Sequence, residues 1–156
     1  HADSEGKSDG GQETGWQKMN QAMIETGVLE STPAALLADL QELRDNAAYR
    51  FDRLLDVTAV DRGETLELVY RLHSLQTNRD LVVKASIDPA KPEIASVSGL
   101  WEAALFGERE VQDMFGVAFT GHPDPRPLLA PEDGFGFFPL RKNYKLPGRS
   151  GQQAGR

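Results

Sequence analysis

Glu108, Glu110, Asp113, His122 and Asp124 are the residues of this chain whose types and spacing could do chemistry. Carboxylates and an imidazole suit a hard or borderline cation, and Glu108, Asp113 and His122 are the trio that a metal-dependent hydrolase would use. No His-Glu-x-x-His or comparable ligand spacing accompanies them. His73 and His122 have acids nearby and the right type for general acid/base work, but neither stands beside a nucleophile motif. The Gly-rich stretches do not follow a strand and open a helix, as a dinucleotide fingerprint does. Arg109 and Asp113, four residues apart, share a helical face on which they can pair, while Glu110 points towards Met114. Residue chemistry alone defines no active site.

Two stiff segments follow this charge cluster. In His122-Pro123-Asp124-Pro125-Arg126-Pro127 each proline holds its own φ and pushes the residue before it to an extended conformation. The product is a strap with a defined path, which His122 and Arg126 can anchor through charged hydrogen bonds. Pro139-Leu140-Arg141-Lys142 reads as a second anchor, with Arg141 shaped to grip a carboxylate in bidentate fashion.

The elements that must position these groups are read from periodicity. Residues 1–15 are polar, Gly-rich and aperiodic, a disordered lead-in. A weak helix over Trp16–Thr26 ends at Gly27. Ser31-Thr32-Pro33 signals a second helix start, with Leu36, Leu37, Leu40, Leu43 and Ala47 at helical spacing to about Asn46. Three alternating runs then predict strands: Leu55, Val57 and Ala59; Leu66, Leu68, Tyr70 and Leu72; and Leu81, Val83, Ala85 and Ile87. Turns at Asp61-Arg62-Gly63 and Thr77-Asn78 join them as an antiparallel meander with one wet face. Ser96 or Ser98 caps a helix from Gly99 to Phe115. Gly107 inside it costs roughly 1 kcal/mol against Ala, which predicts two short helices bent at Phe106-Gly107.

From Gly116 onward the composition changes: six of nine prolines and seven of fifteen glycines fall in these 41 residues. Phe135, Phe137, Phe138 and Tyr144 within it are more than a linker needs, so the segment reads as an extended arm buried against something else. The expected organisation is residues 1–15 disordered, 16–119 an α+β core with a mostly antiparallel sheet and helices packed on one side, and 120–156 a long extended C-terminal arm. Charge follows the same division: residues 1–133 sum to −12 and residues 134–156 to +5. A basic tail on an acidic body suits an acidic partner and opposes nucleic acid. With no cysteine, the chain supplies neither disulfides nor the thiolates of an ordinary iron–sulfur cluster. No apolar run reaches the ~20 residues of a membrane span. A start at His1, without a signal peptide, points to a processed or trimmed N-terminus.

The order Glu108-Arg109-Glu110…Asp113-Met114-Phe115-Gly116, Gly121-His122-Pro123-Asp124 and Pro139-Leu140-Arg141-Lys142 carries a family resemblance. It resembles the small hydrophilic-arm component of respiratory complex I, the type-1 NADH:quinone oxidoreductase. The resemblance extends over about Leu36–Tyr144, with weaker parts at Leu55–Asp61 and Val69–Ser74. The chain departs from that pattern at Phe106-Gly107, where aromatic residues are usual, at Pro125-Arg126-Pro127 in place of Leu-Arg-Arg, and at Asn143 in place of Asp. The resemblance implies a cofactor-free scaffold in the hydrophilic arm of the complex, with flavin and iron–sulfur clusters in partner subunits. It would dock beside the quinone-site subunits, peripheral on the cytoplasmic face of the bacterial inner membrane and touching the membrane only through the complex. The motif residues, Phe115, Gly116, Arg126 and Leu140 included, would then serve contacts between subunits rather than catalysis. The equivalent subunit of an energy-converting membrane-bound nickel–iron hydrogenase is the alternative.

Overall fold

A computed structural model of the chain describes residues 15–128 and 136–142. Within them three helices lie on one side of a mixed four-stranded sheet, an α+β fold. Helix α1 spans Gly15–Thr26 and closes on Gly27, at φ 91°, whose N–H donates to the Met23 and Ile24 carbonyls. A left-handed glycine caps the orphan carbonyls of a last turn without a Cβ clash. Strand β1 (Val28–Ser31) follows at once and pairs parallel with β4 (Arg79–Ile87). Periodicity does not disclose β1: a four-residue strand with one buried residue, Leu29, has no period to detect, and its partner lies some fifty residues away.

Helix α2 runs from Leu36 to Asp45, later than Ser31-Thr32-Pro33 suggests. Ser31 ends β1 instead, and Thr32 Oγ1 accepts the Ala35 N–H at 3.2 Å in a turn that precedes the helix. Leu36, Leu40 and Leu43 are buried, whereas Leu37 faces solvent. The meander is as expected: β2 (Arg53–Asp61), β3 (Leu66–Ser74) and β4 pair antiparallel in that order, giving the sheet β1-β4-β3-β2. Every inward residue expected on β3 and β4 is buried. On β2 a bulge between Leu54 and Asp56 shifts the phase, so Leu54 is buried and Leu55 is 48% exposed, contrary to the simple alternation. An inserted residue in one strand reverses the facing of everything on one side of it.

The third helix, α3 (Ala104–Phe115), is continuous through Gly107, and its start is delayed by turns over residues 97–103. No bend is needed, because Gly107 exists for proximity. A Cβ there would lie 3.1 Å from the Val57 Cβ, so glycine lets α3 settle against β2, the outer strand of the sheet. Neither Ser96 nor Ser98 caps α3 directly. A small parallel pair, β5 (Glu93–Ala95) with β6 (Ala118–Thr120), ties the approach to α3 to its exit. The described parts of the C-terminal arm, residues 121–128 and 136–142, contain no helix or strand. The disordered lead-in expected over residues 1–15 lies outside the described residues except for Gly15, which begins α1. Residues 129–135 and 143–156 of the arm, Phe135 and Tyr144 among them, lie outside them too.

Candidate partner-binding site

Helix α3 is the hub of the charged motif, and each motif side chain on it has a separate task. Glu108 is fully buried. Its carboxylate accepts the Ser96 hydroxyl at 2.6 Å and the Val97 N–H at 2.7 Å, and so fastens the loop after β5 to the helix. Burial pushes the Glu108 carboxyl above the usual carboxylate range, opposed by those two hydrogen bonds and by His122. The Tyr70 hydroxyl is buried and has no hydrogen-bond partner among the described residues. Burial first, and the charge of Glu108 second, push it well above its ordinary value.

His122 closes the same knot from the arm. Its Nδ1 accepts the Asp124 N–H at 2.9 Å, which leaves Nε2 to carry the proton and donate to the Leu105 carbonyl at 3.0 Å. That hydrogen-bond pattern puts the donor proton on Nε2. Nε2 also stands 3.9 Å from Glu108 Oε1, with the imidazole side chain 2% exposed. His122 therefore anchors the strap, through a backbone carbonyl.

The next turns of α3 read the strap carbonyl by carbonyl. Gln112 Nε2 donates to the Pro125 carbonyl at 2.6 Å; Arg109 Nε and Nη2 donate to the Arg126 and Pro127 carbonyls at 2.8 and 2.9 Å. Asp113 Oδ2 accepts the Leu128 N–H at 2.9 Å. The pairing expected between Arg109 and Asp113 from their spacing gives way to this, each side chain turning to the strap. A proline-rich segment offers many carbonyls and few N–H groups, so donors from Arg and Gln are what it can use. Arg109 Nη1 also lies 3.4 Å from Asp124 Oδ2. Asp124 is held bidentately by Arg126 at 2.8 and 2.9 Å, which keeps its carboxyl well below the usual range.

The second anchor sits at the C-terminal end of α3. Among the described residues Arg141 grips carbonyls and no carboxylate: Nε donates to the Phe115 carbonyl at 2.6 Å and Nη2 to the Pro89 carbonyl at 3.2 Å, with the guanidinium over the Phe138 ring. A cation there complements the negative end of the helix dipole. Leu140 N–H donates to the Met114 carbonyl at 3.1 Å, and Lys142 N–H to Asp61 Oδ2 at 2.6 Å. Asp61 also accepts the Gly63 N–H in the β2–β3 turn. That turn is legible in sequence, whereas its role as the arm's anchorage, 81 residues from Lys142, leaves no local signal. Gln112, Ser96 and Phe138 are likewise site residues that their types alone do not announce.

Gly116 joins both halves. It caps α3 at φ 79°, and a Cβ there would stand 2.7 Å from the Phe138 ring. Gly116→Ala is expected to cost about 1–2 kcal/mol through left-handed strain alone. It should also displace Phe138, seen as a lower melting temperature with changed ring resonances in NMR. Gly121 also has positive φ, directly before His122-Pro123. Pro139 follows Phe138 in the second anchor, and Glu110 stays exposed on α3.

The hydrolase trio is not assembled as a ligand set. Glu108 and His122 are close, but Asp113 is engaged with the strap, and among the described residues no group of three or more His, Asp or Glu is placed to hold a metal ion. No helix of the described residues is long and apolar enough to cross a membrane. What the site accomplishes is mechanical: it holds two arm segments against one helix.

Comparison with known proteins places this geometry. Residues 29–150 match the model of the respiratory-chain NADH dehydrogenase 30 kDa subunit family. An NADH-quinone oxidoreductase subunit of Moorella thermoacetica is 41% identical over 119 residues, covering 75% of this chain and 78% of that protein. The mitochondrial NADH-ubiquinone oxidoreductase 30.4 kDa subunit of Neurospora crassa is 38% identical over 75% of this chain but only 42% of its own length. An NADH-quinone oxidoreductase subunit of Caulobacter vibrioides is 41% identical over 74% of this chain and 59% of its own. This chain thus spans about half the length of the last two relatives. Among solved structures, the trypsin-resistant fragment of Nqo5 superposes with TM-score 0.56 at 28% identity, covering 62% of this chain and 80% of the fragment. A chain of the membrane-bound sulfane sulfur reductase, an archaeal respiratory membrane complex, shares the fold with TM-score 0.72 at 22% identity, over 90% of this chain and 91% of that one. On the match over residues 29–150, the chain belongs to the respiratory-chain NADH dehydrogenase 30 kDa subunit family.

Proposed function

We propose that the chain is a structural and assembly subunit of a proton-translocating NADH:quinone oxidoreductase, carrying no cofactor itself. The carrying observation is the use of the motif: Glu108, Arg109, Gln112 and Asp113 each hold a backbone group of another segment, and Arg141 clamps the second anchor to the helix end. Such an arrangement stiffens an arm and presents its outer side to neighbours, and it leaves these groups engaged rather than poised over a substrate. In this reading the neighbours are other hydrophilic-arm subunits, above all those at the quinone site. Flavin and iron–sulfur clusters belong to partners, and the chain is peripheral on the cytoplasmic face of the bacterial inner membrane. Electron transfer depends on it indirectly, through the fixed geometry of the subunits it joins.

Affinity recovery of the tagged chain from gently solubilised membranes, followed by mass spectrometry, tests this. Flavin-bearing, cluster-bearing and quinone-site subunits are the expected companions. A nickel–iron large subunit without an NADH-oxidising module would assign the chain to a hydrogenase instead, and recovery as a lone monomer would overturn both readings.

Asp61 supplies a prediction from electrostatics. The Lys142 N–H first, then the Gly63 N–H and the charges of Arg141 and Lys142, hold its carboxyl below the usual range. A depressed folded-state value stabilises the folded arm above the unfolded value and is lost as pH falls through the folded one. The Lys142 amide resonance is therefore expected to shift on acidification below the ordinary Asp range, and Asp61→Asn should abolish that titration.

A further inference from the structure

A cavity of about 280 Å³ lies between β2 and α3, with Asp56 and Glu110 at its sides and Val57, Val111, Met114 and Leu140 among its apolar lining. The acids that serve the arm or the helix, Asp61, Glu108, Asp113 and Asp124, are engaged elsewhere. Asp56 and Glu110 are exposed and have no hydrogen bond or ion pair among the described residues. Leu140 in this lining is 55% exposed, and two apolar side chains of the same strand and helix, Leu55 at 48% and Phe106 at 66%, are exposed as well.

We infer that this groove receives an arginine or lysine side chain from a partner subunit of the complex. The inference rests on the assembly role proposed above. Such a side chain has the two chemistries that the groove offers. Its aliphatic stem suits the valine, methionine and leucine surface, and its charged head suits the two carboxylates of the lining. Charge complementarity of this kind selects the partner and its register more than it sets raw affinity.

The test uses the intact complex. Leu140 is replaced by the photo-reactive p-benzoyl-phenylalanine, the solubilised complex is irradiated, and the crosslinked peptide is sequenced. A crosslink to another chain, within a few residues of an Arg or Lys, is expected. Combining it with Asp56→Asn and Glu110→Gln should lower the yield roughly tenfold, while the isolated double variant melts like the parent, since neither carboxylate has a partner among the described residues. A crosslink into residues 143–156 of the same chain, into a segment without a basic residue, or one indifferent to the double substitution overturns the groove assignment while leaving assembly intact. Recovery of the unsubstituted chain without any partner overturns both.

Discussion

Glu108→Ala is expected to destabilise the folded domain by about 3 kcal/mol, near 10 °C in Tm for a domain of this size. The side chain is fully buried and holds the Val97 N–H at 2.7 Å and the Ser96 hydroxyl at 2.6 Å. Alanine leaves a buried backbone donor unsatisfied, which costs about 1–3 kcal/mol, and opens a void against which α3 must collapse. Ser96 retains Ser98 Oγ at 2.9 Å as an alternative partner, so the Val97 amide bears most of the polar loss. Glu108→Gln separates shape from charge. Burial holds Glu108 above its unfolded value, so the folded chain keeps a proton that the unfolded chain has released. Stability then falls as pH rises from the unfolded value through the folded one. The glutamine variant should lose that slope and keep most of the fold. Chemical denaturation at a series of pH values reads both effects; an alanine variant that melts with the parent would show that the knot around Glu108 holds nothing.

Arg141→Ala should have the largest effect on assembly. It removes hydrogen bonds from one guanidinium to the Phe115 and Pro89 carbonyls and its place over Phe138. Charge-assisted bonds of this kind are worth about 2 kcal/mol here, roughly a thirtyfold shift towards a released second anchor. The sheet should remain folded, because among the described residues the Arg141 side chain is hydrogen-bonded only to Pro89 and the end of α3. Blue-native gels of the membranes should show markedly less intact complex, with amide exchange at Leu140 and Lys142 accelerated. Arg141→Lys should rescue poorly, since a single ammonium cannot reproduce the guanidinium fork across two carbonyls. Arg126→Ala offers the contrast. Its side chain is 75% exposed and bonded to Asp124, so assembly can be judged without a change in the melting of the isolated chain. Normal levels of complex with a lost catalytic step, for either variant, would contradict the scaffold role.

Much of this was determined by sequence alone. Alternation over Leu66–Leu72 and Leu81–Ile87, with turns at Asp61-Arg62-Gly63 and Thr77-Asn78, specified the antiparallel meander, because a one-sided sheet leaves its period in the chain. The helical spacing of Leu36, Leu40 and Leu43 disclosed the buried side of α2, and the charged run ending in Phe115-Gly116 marked the hub helix. The ordered motifs pointed to the family. Tertiary structure decided what local pattern does not encode. The parallel pairings β1–β4 and β5–β6 join segments too short to show a period, and the Leu54–Asp56 bulge reverses a facing that alternation assigns the other way. Gly107, a helix breaker by propensity, is a contact surface for Val57. Arg109 and Asp113, partners by spacing, turn instead to a strap that begins only a few residues beyond the helix, and Asp61 holds a backbone N–H from the far end of the chain. Each of these depends on which distant group arrives at a given atom. Propensity and period report the chain's neighbours in sequence, whereas hydrogen-bond partners and close approaches are settled by its neighbours in space.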